Sequence, residues 1–420
     1  MINRRDFLLS ISLLPSYISS TLSKNISKNA HVVVIGAGWG GLSAAKTLRY
    51  LSEDLKITVI EKENKFISCP ISNWVIGQIK NIKDITFSFK NFIKYQNINF
   101  INDELVYIDA SKKLLFLKNK KIRYDKLIIS TGIEMNFKSI QGLEKAYDGK
   151  EVVSAWKAGK ETIDLATRIA NLENGNNVII SIPLSPYRCP PGPYERASLI
   201  ADHIKNKKLN SKVIILDANQ KIISKGSLFK KAWDDYYRGI IEYHPDSRVI
   251  EINAEEKKVF TDFDEFNYHT ANIIPEQRAP NILKDSGLIE ENKKWVKVDP
   301  YDFSTRYSDI HVIGDSTDRH SVGAVPKSGY VANSMGKSVA FSVYFSFLEK
   351  IPPEPSIINT CYSLVSRNEG ISVSAVYKYN KEIKKIVSVK GATGTSPDRS
   401  SVIANNAWDW ARAIWSDMLT

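Results

Sequence analysis

The sequence predicts an α/β protein with two dinucleotide-binding, Rossmann-like domains and a C-terminal α+β interface region. An apolar strand at 31–35 runs into the glycine-rich segment 36–41, and a helix and a second strand at 56–60 follow. A second series of strand, turn, helix and strand begins near Glu151 and includes the apolar strand 178–182. Parallel strands joined by helical crossovers are typical of this fold class.

Length and composition are those of a protein with several packed domains. The chain has 420 residues, of which 43% are hydrophobic and 25% charged, so it can bury sizeable cores. The formal net charge of +12 indicates either a lysine-rich solvated surface or attraction to an acidic partner or anionic substrate. No basic run carries the interleaved aromatic residues of a nucleic-acid groove, so we expect no nucleic acid as a partner. No stretch reaches ~18 continuous apolar residues, so we expect no transmembrane span, and we predict no metal site.

The N-terminus indicates export. Arg4 and Arg5 precede a mildly apolar, serine-rich segment that ends near Leu22. Paired arginines in this setting resemble a twin-arginine signal, and the alternative is an ordinary amphipathic start. We therefore expect residues 1–30 to be an export signal with a spacer, and the protein to be periplasmic, exported folded by the twin-arginine route.

The first candidate site is the glycine-rich turn. Gly36, Gly38 and Gly41 follow a buried strand with the spacing G-x-G-x-x-G, and Glu61 ends the next strand. Such glycines allow a tight turn and the close approach of a pyrophosphate at the helix N-terminus. An acid about 20 residues further on binds the ribose hydroxyls. These features together predict a bound dinucleotide.

A later strand favours FAD as that dinucleotide. This strand ends in Gly314 and Asp315, where a carboxylate can hold a ribityl hydroxyl; the alternative is a plain strand–turn with a capping aspartate. A helix is predicted soon after Lys327, and its N-terminus would face the pyrimidine edge of a flavin. Thr131 and Gly132, at the end of another core strand, complete the predicted cofactor-binding set.

The order of these elements predicts the domain boundaries. The segments are an FAD-binding domain in two parts at 31–150 and 271–350, a second Rossmann-like domain carrying Cys189 at 151–270, and a C-terminal interface domain at 351–420.

The second domain carries a cysteine where a glycine-rich turn is normal. After the strand 178–182, Cys189 is followed by Pro190, Pro191 and Pro193. Proline has no N–H to offer a pyrophosphate, and it stiffens the turn. The position therefore presents a thiol rather than a nicotinamide-binding turn, which favours an electron source other than NAD(P)H.

The chain has three cysteines, Cys69, Cys189 and Cys361, and none lies in a C-x-x-C or C-x-x-C-H motif. A thioredoxin-like motif and a covalent c-type haem are therefore absent from this chain. In an exported protein Cys189 and Cys361 are candidates for a disulfide, which beside a flavin would relay two electrons. The alternatives are two inert buried cysteines or a structural bridge. Arg188 and Arg196 favour a thiolate at Cys189.

Two residues have open roles at this point. Glu195 stands at an expected helix start, where it is either a general base for a sulfhydryl or an acid favoured by the first helical turn. Cys69 lies in a stretch that passes beneath the flavin ring in such folds, so it either contacts or bonds the ring or is a small buried residue.

These motifs together resemble the flavin-binding subunit of flavocytochrome c sulfide dehydrogenase, within the sulfide:quinone oxidoreductase-like flavoproteins. The resemblance extends from about Ala30 to the C-terminus. The matching stretches are 33–41, Glu61 with 69–73, 188–196, 314–315 and 359–362. The chain departs from the family at Pro70 and in its surface, which is rich in lysine and asparagine.

The resemblance implies a fold of the FAD/NAD-linked disulfide reductase type and a role for each cysteine. Cys69 matches a cysteine that bonds covalently to the flavin 8α-methyl group. Cys189 and Cys361 match a redox-active disulfide beside the ring.

The resemblance also implies other site residues and a partner. Glu195 matches a carboxylate near the disulfide, and Trp408 or Trp410 matches an active-site aromatic residue. The family is exported, and its flavin subunit pairs with a c-type cytochrome subunit, so haem is expected only on that partner.

The predicted function is that of a sulfide dehydrogenase. Hydrosulfide would be oxidised through a Cys189–Cys361 disulfide and FAD, and the electrons would pass to the cytochrome subunit. One alternative is a sulfide:quinone oxidoreductase that passes electrons to membrane quinone, with the tryptophan-rich last helix as a membrane foot. Others are an NAD(P)H-dependent flavin disulfide or ferredoxin reductase and a non-enzymatic flavin-binding module.

Overall fold

The predicted α/β class is confirmed by the computed structural model, which describes residues 27 and 29–420. Two five-stranded parallel sheets form the body of the protein, and a three-stranded antiparallel sheet follows them. The arginine pair of the predicted export signal, Arg4 and Arg5, lies outside the described residues.

The first parallel sheet surrounds the N-terminal glycine turn. In spatial order its strands are Ile310–Val312, Lys126–Ile129, His31–Ile35, Lys56–Glu61 and Asn99–Asn102. The β-branched side chains of the central strand are buried, as expected where helices cover both faces of a parallel sheet. The chain therefore returns late in its sequence to bring a last strand beside the earlier ones.

Two helices pack closely on this sheet. They span Trp39–Leu51 and Gly329–Phe347, so the first begins within the glycine run. A Cβ atom on Gly336 would lie 2.3 Å from the carbonyl oxygen of Gly40. Glycine is therefore required for this close approach of the two backbones.

The second parallel sheet carries the proline-rich turn. In spatial order its strands are Val152–Val153, Thr270–Ile273, Val178–Ile182, Val213–Asp217 and Ile241–His244. The helices Gly192–Lys207 and Gly226–Tyr236 follow the third and fourth of these strands. The turn that contains Cys189 lies at the carboxyl edge of the sheet, the edge where ligands bind in open α/β folds.

The C-terminal region is an antiparallel sheet followed by one helix. The strands Ser356–Leu364, Gly370–Asn380 and Lys385–Thr395 pair in chain order. The helix Ser401–Leu419 begins after Ser400, whose side chain accepts a hydrogen bond from the N–H of Ile403. Cys361 lies on the first of these strands.

Smaller elements connect these units. The further strands are Phe66–Ile67, Thr86–Phe87, Leu105–Asp109, Leu114–Leu117, Lys121–Arg123, Glu134–Met135, Val249–Asn253, Lys258–Thr261, Glu265–Asn267 and Gln277–Arg278. The further α-helices are Ser72–Ile76, Lys90–Gln96, Leu143–Asp148, Lys160–Ala170, Asn281–Asp285 and Arg319–Val322. Among the residues that the structure describes, no helix has the length and apolar character that a membrane span requires.

Candidate functional site

A cavity of about 970 Å³ is bounded by the two parallel sheets and the C-terminal region. It brings together most of the residues that the sequence analysis singled out. Those that line it are Gly36, Gly38, Glu61, Cys69, Thr131, Gly132, Cys189, Glu195, Gly314, Asp315, Lys327, Cys361 and Trp410. Gly41 and Trp408 do not line it.

The glycine turn is part of the cavity wall. Gly36 has φ +94°, and a Cβ atom there would lie 2.5 Å from the carbonyl oxygen of Ser130. A Cβ atom on Gly38 would meet nothing within 4 Å, so this position opens onto free space. A Cβ atom on Gly41 would lie 1.8 Å from the carbonyl oxygen of Gly36. Gly41 therefore allows helix and turn to pack, which corrects its assignment to the residues that face the cofactor.

Glu61 fixes the glycine turn to the end of its strand. Its Oε2 accepts a hydrogen bond from the N–H of Ala37 at 2.7 Å, and its Oε1 accepts one from the N–H of Glu63 at 2.9 Å. A carboxylate has about four lone-pair positions, so each oxygen can accept a further bond from a ribose hydroxyl.

Asp315 has a buried oxygen with an unused acceptor. Within the described part of the chain, its Oδ1 has no hydrogen-bond partner. Burial raises the pKa of this carboxyl, and the charges of Arg188 and Lys327 oppose that rise. Nearby, a Cβ atom on Gly132 would meet nothing within 4 Å. A buried oxygen that has no hydrogen-bond partner and lies beside open space can accept a hydrogen bond from a hydroxyl group of a bound ligand.

The residues that line the cavity therefore fit a dinucleotide flavin. The turn at Gly36 and Gly38 would receive the pyrophosphate, Glu61 the ribose, and Asp315 a ribityl hydroxyl. Cys69 is half-buried and lines the same cavity, with its carbonyl accepting from the N–H of Ser72 at 3.0 Å.

Lys327 links two backbone positions in the wall of the cavity through its hydrogen bonds. Its Nζ donates to the carbonyl oxygens of Asp315 at 2.7 Å and Thr317 at 2.8 Å, and it lies 3.6 Å from the ring centroid of Trp295. Burial lowers the pKa of Lys327 to about 8. As predicted, a helix begins just after it, capped by Ser328, and the cap residue also lines the cavity.

Cys189 is held in a strained turn that also lines the cavity. Its φ is +57°, a left-handed value that is uncommon for a residue other than glycine. Its N–H donates to the carbonyl oxygen of Lys327 at 2.8 Å, and its own carbonyl accepts from the N–H of Gly192 at 2.8 Å. The backbone on both sides of the thiol is therefore fixed.

Cys189 and Cys361 are free thiols in the structure, so the predicted disulfide is not present in it. Both line the cavity, and the thiol of Cys361 acts electrostatically on that of Cys189. Burial raises the pKa of both thiols. Arg188 lowers the pKa of Cys189, in the direction expected of a nearby cation, but burial outweighs this effect.

Arg196 cross-links the site and does not pair with an acid. Its Nε donates to Asn73 Oδ1 at 3.0 Å, and its Nη1 donates to Asn272 Oδ1 at 2.7 Å. Its Nη2 donates to the carbonyl oxygen of Ala155 at 2.8 Å. The guanidinium is almost fully buried, and burial lowers its pKa to about 10.

Glu195 joins the segments that carry the two cysteines. Its Oε1 accepts from the backbone N–H of Leu364 at 2.8 Å and from Trp74 Nε1 at 3.2 Å. Its Oε2 accepts from Asn73 Nδ2 at 2.9 Å. Burial raises the pKa of Glu195. Sequence reasoning missed these three donors, although Asn73 ends the stretch that contains Cys69 and Trp74 follows it directly.

The last helix presents one of its two candidate tryptophans to the cavity. Trp410 stacks on Trp39 with the ring centroids 5.9 Å apart and also contacts Tyr362. Trp408 stacks instead on Trp74, with the centroids 6.0 Å apart. Residues two apart on a helix face different sides, so only one could point inward. Of the two candidates, Trp410 lines the cavity and Trp408 does not.

The crevice of the second parallel sheet is filled by the protein itself. Asp217 ends the strand after the proline-rich turn, where an acid would bind the ribose of a nicotinamide dinucleotide. Its Oδ2 accepts from the hydroxyls of Tyr194 at 2.7 Å and Tyr243 at 3.0 Å, and its Oδ1 accepts from Asn219 Nδ2 at 2.8 Å. Tyr194 is fully buried there. A nicotinamide dinucleotide would have to displace these side chains.

Metal chemistry receives no support from the part of the chain that the structure describes. It contains no group of three or more histidine, cysteine, aspartate or glutamate side chains placed to hold a metal ion.

Comparison with known families agrees with this architecture. Residues 162–275 match the family described as sulfide dehydrogenase (flavocytochrome c) flavoprotein chain, central. Residues 353–419 match the flavin-binding domain of flavocytochrome c sulphide dehydrogenase. Residues 30–179 match the pyridine nucleotide-disulphide oxidoreductase family.

Individual relatives include sulfide:quinone oxidoreductases. The sulfide-quinone reductase of Aquifex aeolicus is 26% identical over 341 residues, which cover 74% of this chain and 76% of that protein. The mitochondrial sulfide:quinone oxidoreductase of Dictyostelium discoideum is 24% identical over 313 residues, which cover 70% of this chain but only 66% of that protein. The solved structure of the Aquifex aeolicus sulfide:quinone oxidoreductase has a TM-score of 0.74 at 20% identity, covering 93% of this chain and 91% of its own.

The fold and the cavity define a flavin-dependent oxidoreductase with two dinucleotide-binding folds. More narrowly, its central and C-terminal segments match domains of flavocytochrome c sulfide dehydrogenase, and the chain is similar to sulfide:quinone oxidoreductases.

Proposed function

We propose that this protein oxidises hydrosulfide by means of a Cys189–Cys361 disulfide, FAD and a c-type cytochrome partner subunit. The observation that carries the proposal is the convergence of two cysteines on one cavity. Cys189 comes from the proline-rich turn and Cys361 from the C-terminal sheet, and both line the cavity that fits a flavin. The fixed backbone of Cys189 holds its sulfur at this place.

The proposed step balances as a thiol–disulfide exchange. Hydrosulfide attacks one sulfur of the disulfide, and a new sulfur–sulfur bond forms a persulfide on that cysteine. The Cys189–Cys361 bond breaks, and its electron pair stays on the other cysteine as a thiolate. When bound, the flavin supplies an acceptor for two electrons that can pass them on singly.

Residues of the chain prepare the site for this step. Glu195 holds the Cys361 strand against the helix that follows Cys189, through its bond to the N–H of Leu364. Trp410 and Trp39 stack on each other and add apolar surface to the cavity wall. A wall of low polarity strengthens electrostatic interactions inside the cavity.

Sulfide, and not NADH, should reduce the flavin of the purified protein. Tyr194 and Asp217 fill the crevice where a nicotinamide would bind, whereas the cysteines are open to the cavity. The measurement is anaerobic titration with each reductant while flavin absorbance is followed. Bleaching by NADH alone would contradict the proposal.

We further propose that FAD is covalently attached through Cys69. This thiol lines the cavity, and its stretch also supplies Asn73 to Glu195 and Arg196. Flavin should then remain with the protein after acid precipitation of wild type but not of Cys69→Ser. Release of the flavin from the wild-type protein would contradict covalent attachment.

The electron acceptor is proposed from the family relationship. Two matched families are domains of flavocytochrome c sulfide dehydrogenase, and the sequence has no C-x-x-C-H motif, so a c-type haem would belong to another chain. The names of two similar proteins favour quinone as the alternative. Sulfide-dependent reduction of cytochrome c without quinone supports the first acceptor, and reduction of a quinone analogue alone supports the second. Export to the periplasm belongs to the same proposal, and cell fractionation tests it.

A further inference from the structure

A buried lysine contacts the strand that carries Cys361 and acts electrostatically on both cysteines. Lys225 is 6% exposed and immediately precedes the helix Gly226–Tyr236. Its Nζ donates to the carbonyl oxygen of Cys361 at 3.2 Å and to Ser363 Oγ at 2.9 Å. Both acceptors are neutral groups on the strand that carries the Cys361 thiol. Neither of the two hydrogen bonds that hold the ammonium in place is therefore made to a carboxylate.

The position of this ammonium is unfavourable for stability. The N-terminus of a helix carries a partial positive charge, which favours an acid there and disfavours a lysine. Lys225 also has φ +58°, in the left-handed region. Burial of an ammonium costs free energy unless strong partners compensate it. A residue that breaks several local rules at once is typical of a functional position.

Few charged groups act on the two thiols. Burial and Glu195 raise the pKa of both thiols, whereas Lys225 lowers both. The other cation that lowers the pKa of Cys189 is Arg188, and its effect is smaller than that of Lys225. Two further groups face Cys189, the guanidinium of Arg196 and the phenol of Tyr187. Lys225 is thus the cation shared by both sulfur atoms.

We propose that Lys225 is a positioning residue that stabilises the thiolate form of the Cys189–Cys361 pair. Whichever sulfur is released when the disulfide opens, the same ammonium lies near it. Its role in turnover rests on the proposed sulfide oxidation, since a thiolate leaves faster when its charge is stabilised. Its effect on thiol acidity does not rest on that function.

Alkylation of the reduced holoprotein tests this assignment directly. Iodoacetamide reacts with thiolates, and mass spectrometry of the Cys189 and Cys361 peptides gives each rate from about pH 7 to about pH 9. We expect Lys225→Gln and Lys225→Met to slow both rates about tenfold at every pH, as a rise of about one pKa unit requires. Lys225→Arg keeps the charge and should restore most of the rate.

The control is Lys221→Gln, an exposed lysine four residues away that lies outside the cavity. It should leave both rates unchanged. Three results would each overturn the proposal. They are unchanged alkylation rates in Lys225→Met, a slowing by Lys221→Gln as large as that by Lys225→Met, and a slowing of the same size by Lys225→Arg. Far-ultraviolet circular dichroism and flavin content verify that each variant is folded. If the Gln and Met variants fail to fold, the alkylation rates of Lys225→Arg and wild type still test the proposal, because slower rates in Lys225→Arg would overturn it. If sulfide failed to bleach the wild-type flavin, the proposed function would be refuted. The ratios of alkylation rates between variants would still test the effect of Lys225, because they do not depend on turnover.

Discussion

Replacement of Cys189 by serine is expected to abolish the reduction of the flavin by sulfide while the flavin stays bound. A serine hydroxyl cannot form the sulfur–sulfur bond that the exchange step opens. None of the hydrogen bonds of the glycine turn, Glu61 or Lys327 described above involves the Cys189 side chain, so cofactor binding should persist. We expect a rate loss of at least ~10³-fold, as for other residues that act as one catalytic unit. Anaerobic stopped-flow absorbance of the flavin measures it.

The matched variants separate the disulfide from its surroundings. Cys361→Ser should lose as much as Cys189→Ser, and the double variant should lose little more, because the two sulfurs act as one unit. Ser224→Ala changes a residue that lines the same cavity and has no role in the exchange, so it should keep the wild-type rate. Flavin reduction within about tenfold of wild type in Cys189→Ser would refute the disulfide relay.

Replacement of Glu195 by alanine is expected to destabilise the fold by about 3–6 kcal/mol. Three buried donors, on Asn73, Trp74 and Leu364, would lose their acceptor. An unsatisfied buried donor costs about 1–3 kcal/mol, and relaxation of the site reduces the sum. Glu195→Gln keeps one acceptor oxygen and should lose roughly half as much. Chemical denaturation of each variant measures the free energy of unfolding.

A second acid separates this role from the general preference for an acid in the first turn of a helix. Glu144 lies in the first turn of the helix Leu143–Asp148, and its side chain is exposed. Glu144→Ala should cost at most about 1 kcal/mol, the scale of the helix dipole alone. Equal losses from Glu195→Ala and Glu144→Ala would mean that Glu195 is only a first-turn acid.

The parts of the site that the sequence could predict depend on local chemistry. The glycine turn, Glu61 and Asp315 each follow a buried strand, and the carboxyl ends of parallel strands meet at one edge of a sheet. Cysteines are rare in this chain, so each was a candidate from the beginning. Such signals need only a few neighbouring residues to be read.

The parts that could not be predicted depend on contacts between distant segments. The bond from Glu195 to the N–H of Leu364 spans 169 positions, and nothing near Lys225 in the sequence indicates that it reaches the Cys361 strand. Arg188 lowers the pKa of Cys189 as expected, but the sequence could not show that burial outweighs this effect. Burial decides the direction of that pKa change, and burial is a property of the whole fold.

The filled crevice at Tyr194 and Asp217 has a consequence for how this protein would be regulated. A flavin in the cavity would have no direct contact with the nicotinamide pool while Tyr194 and Asp217 fill the crevice of the second sheet. Its oxidation state would follow only the electron donor on one side and the acceptor on the other. A high NADH concentration in the cell would therefore neither reduce nor oxidise such a flavoprotein, and its flux would depend on donor and acceptor alone.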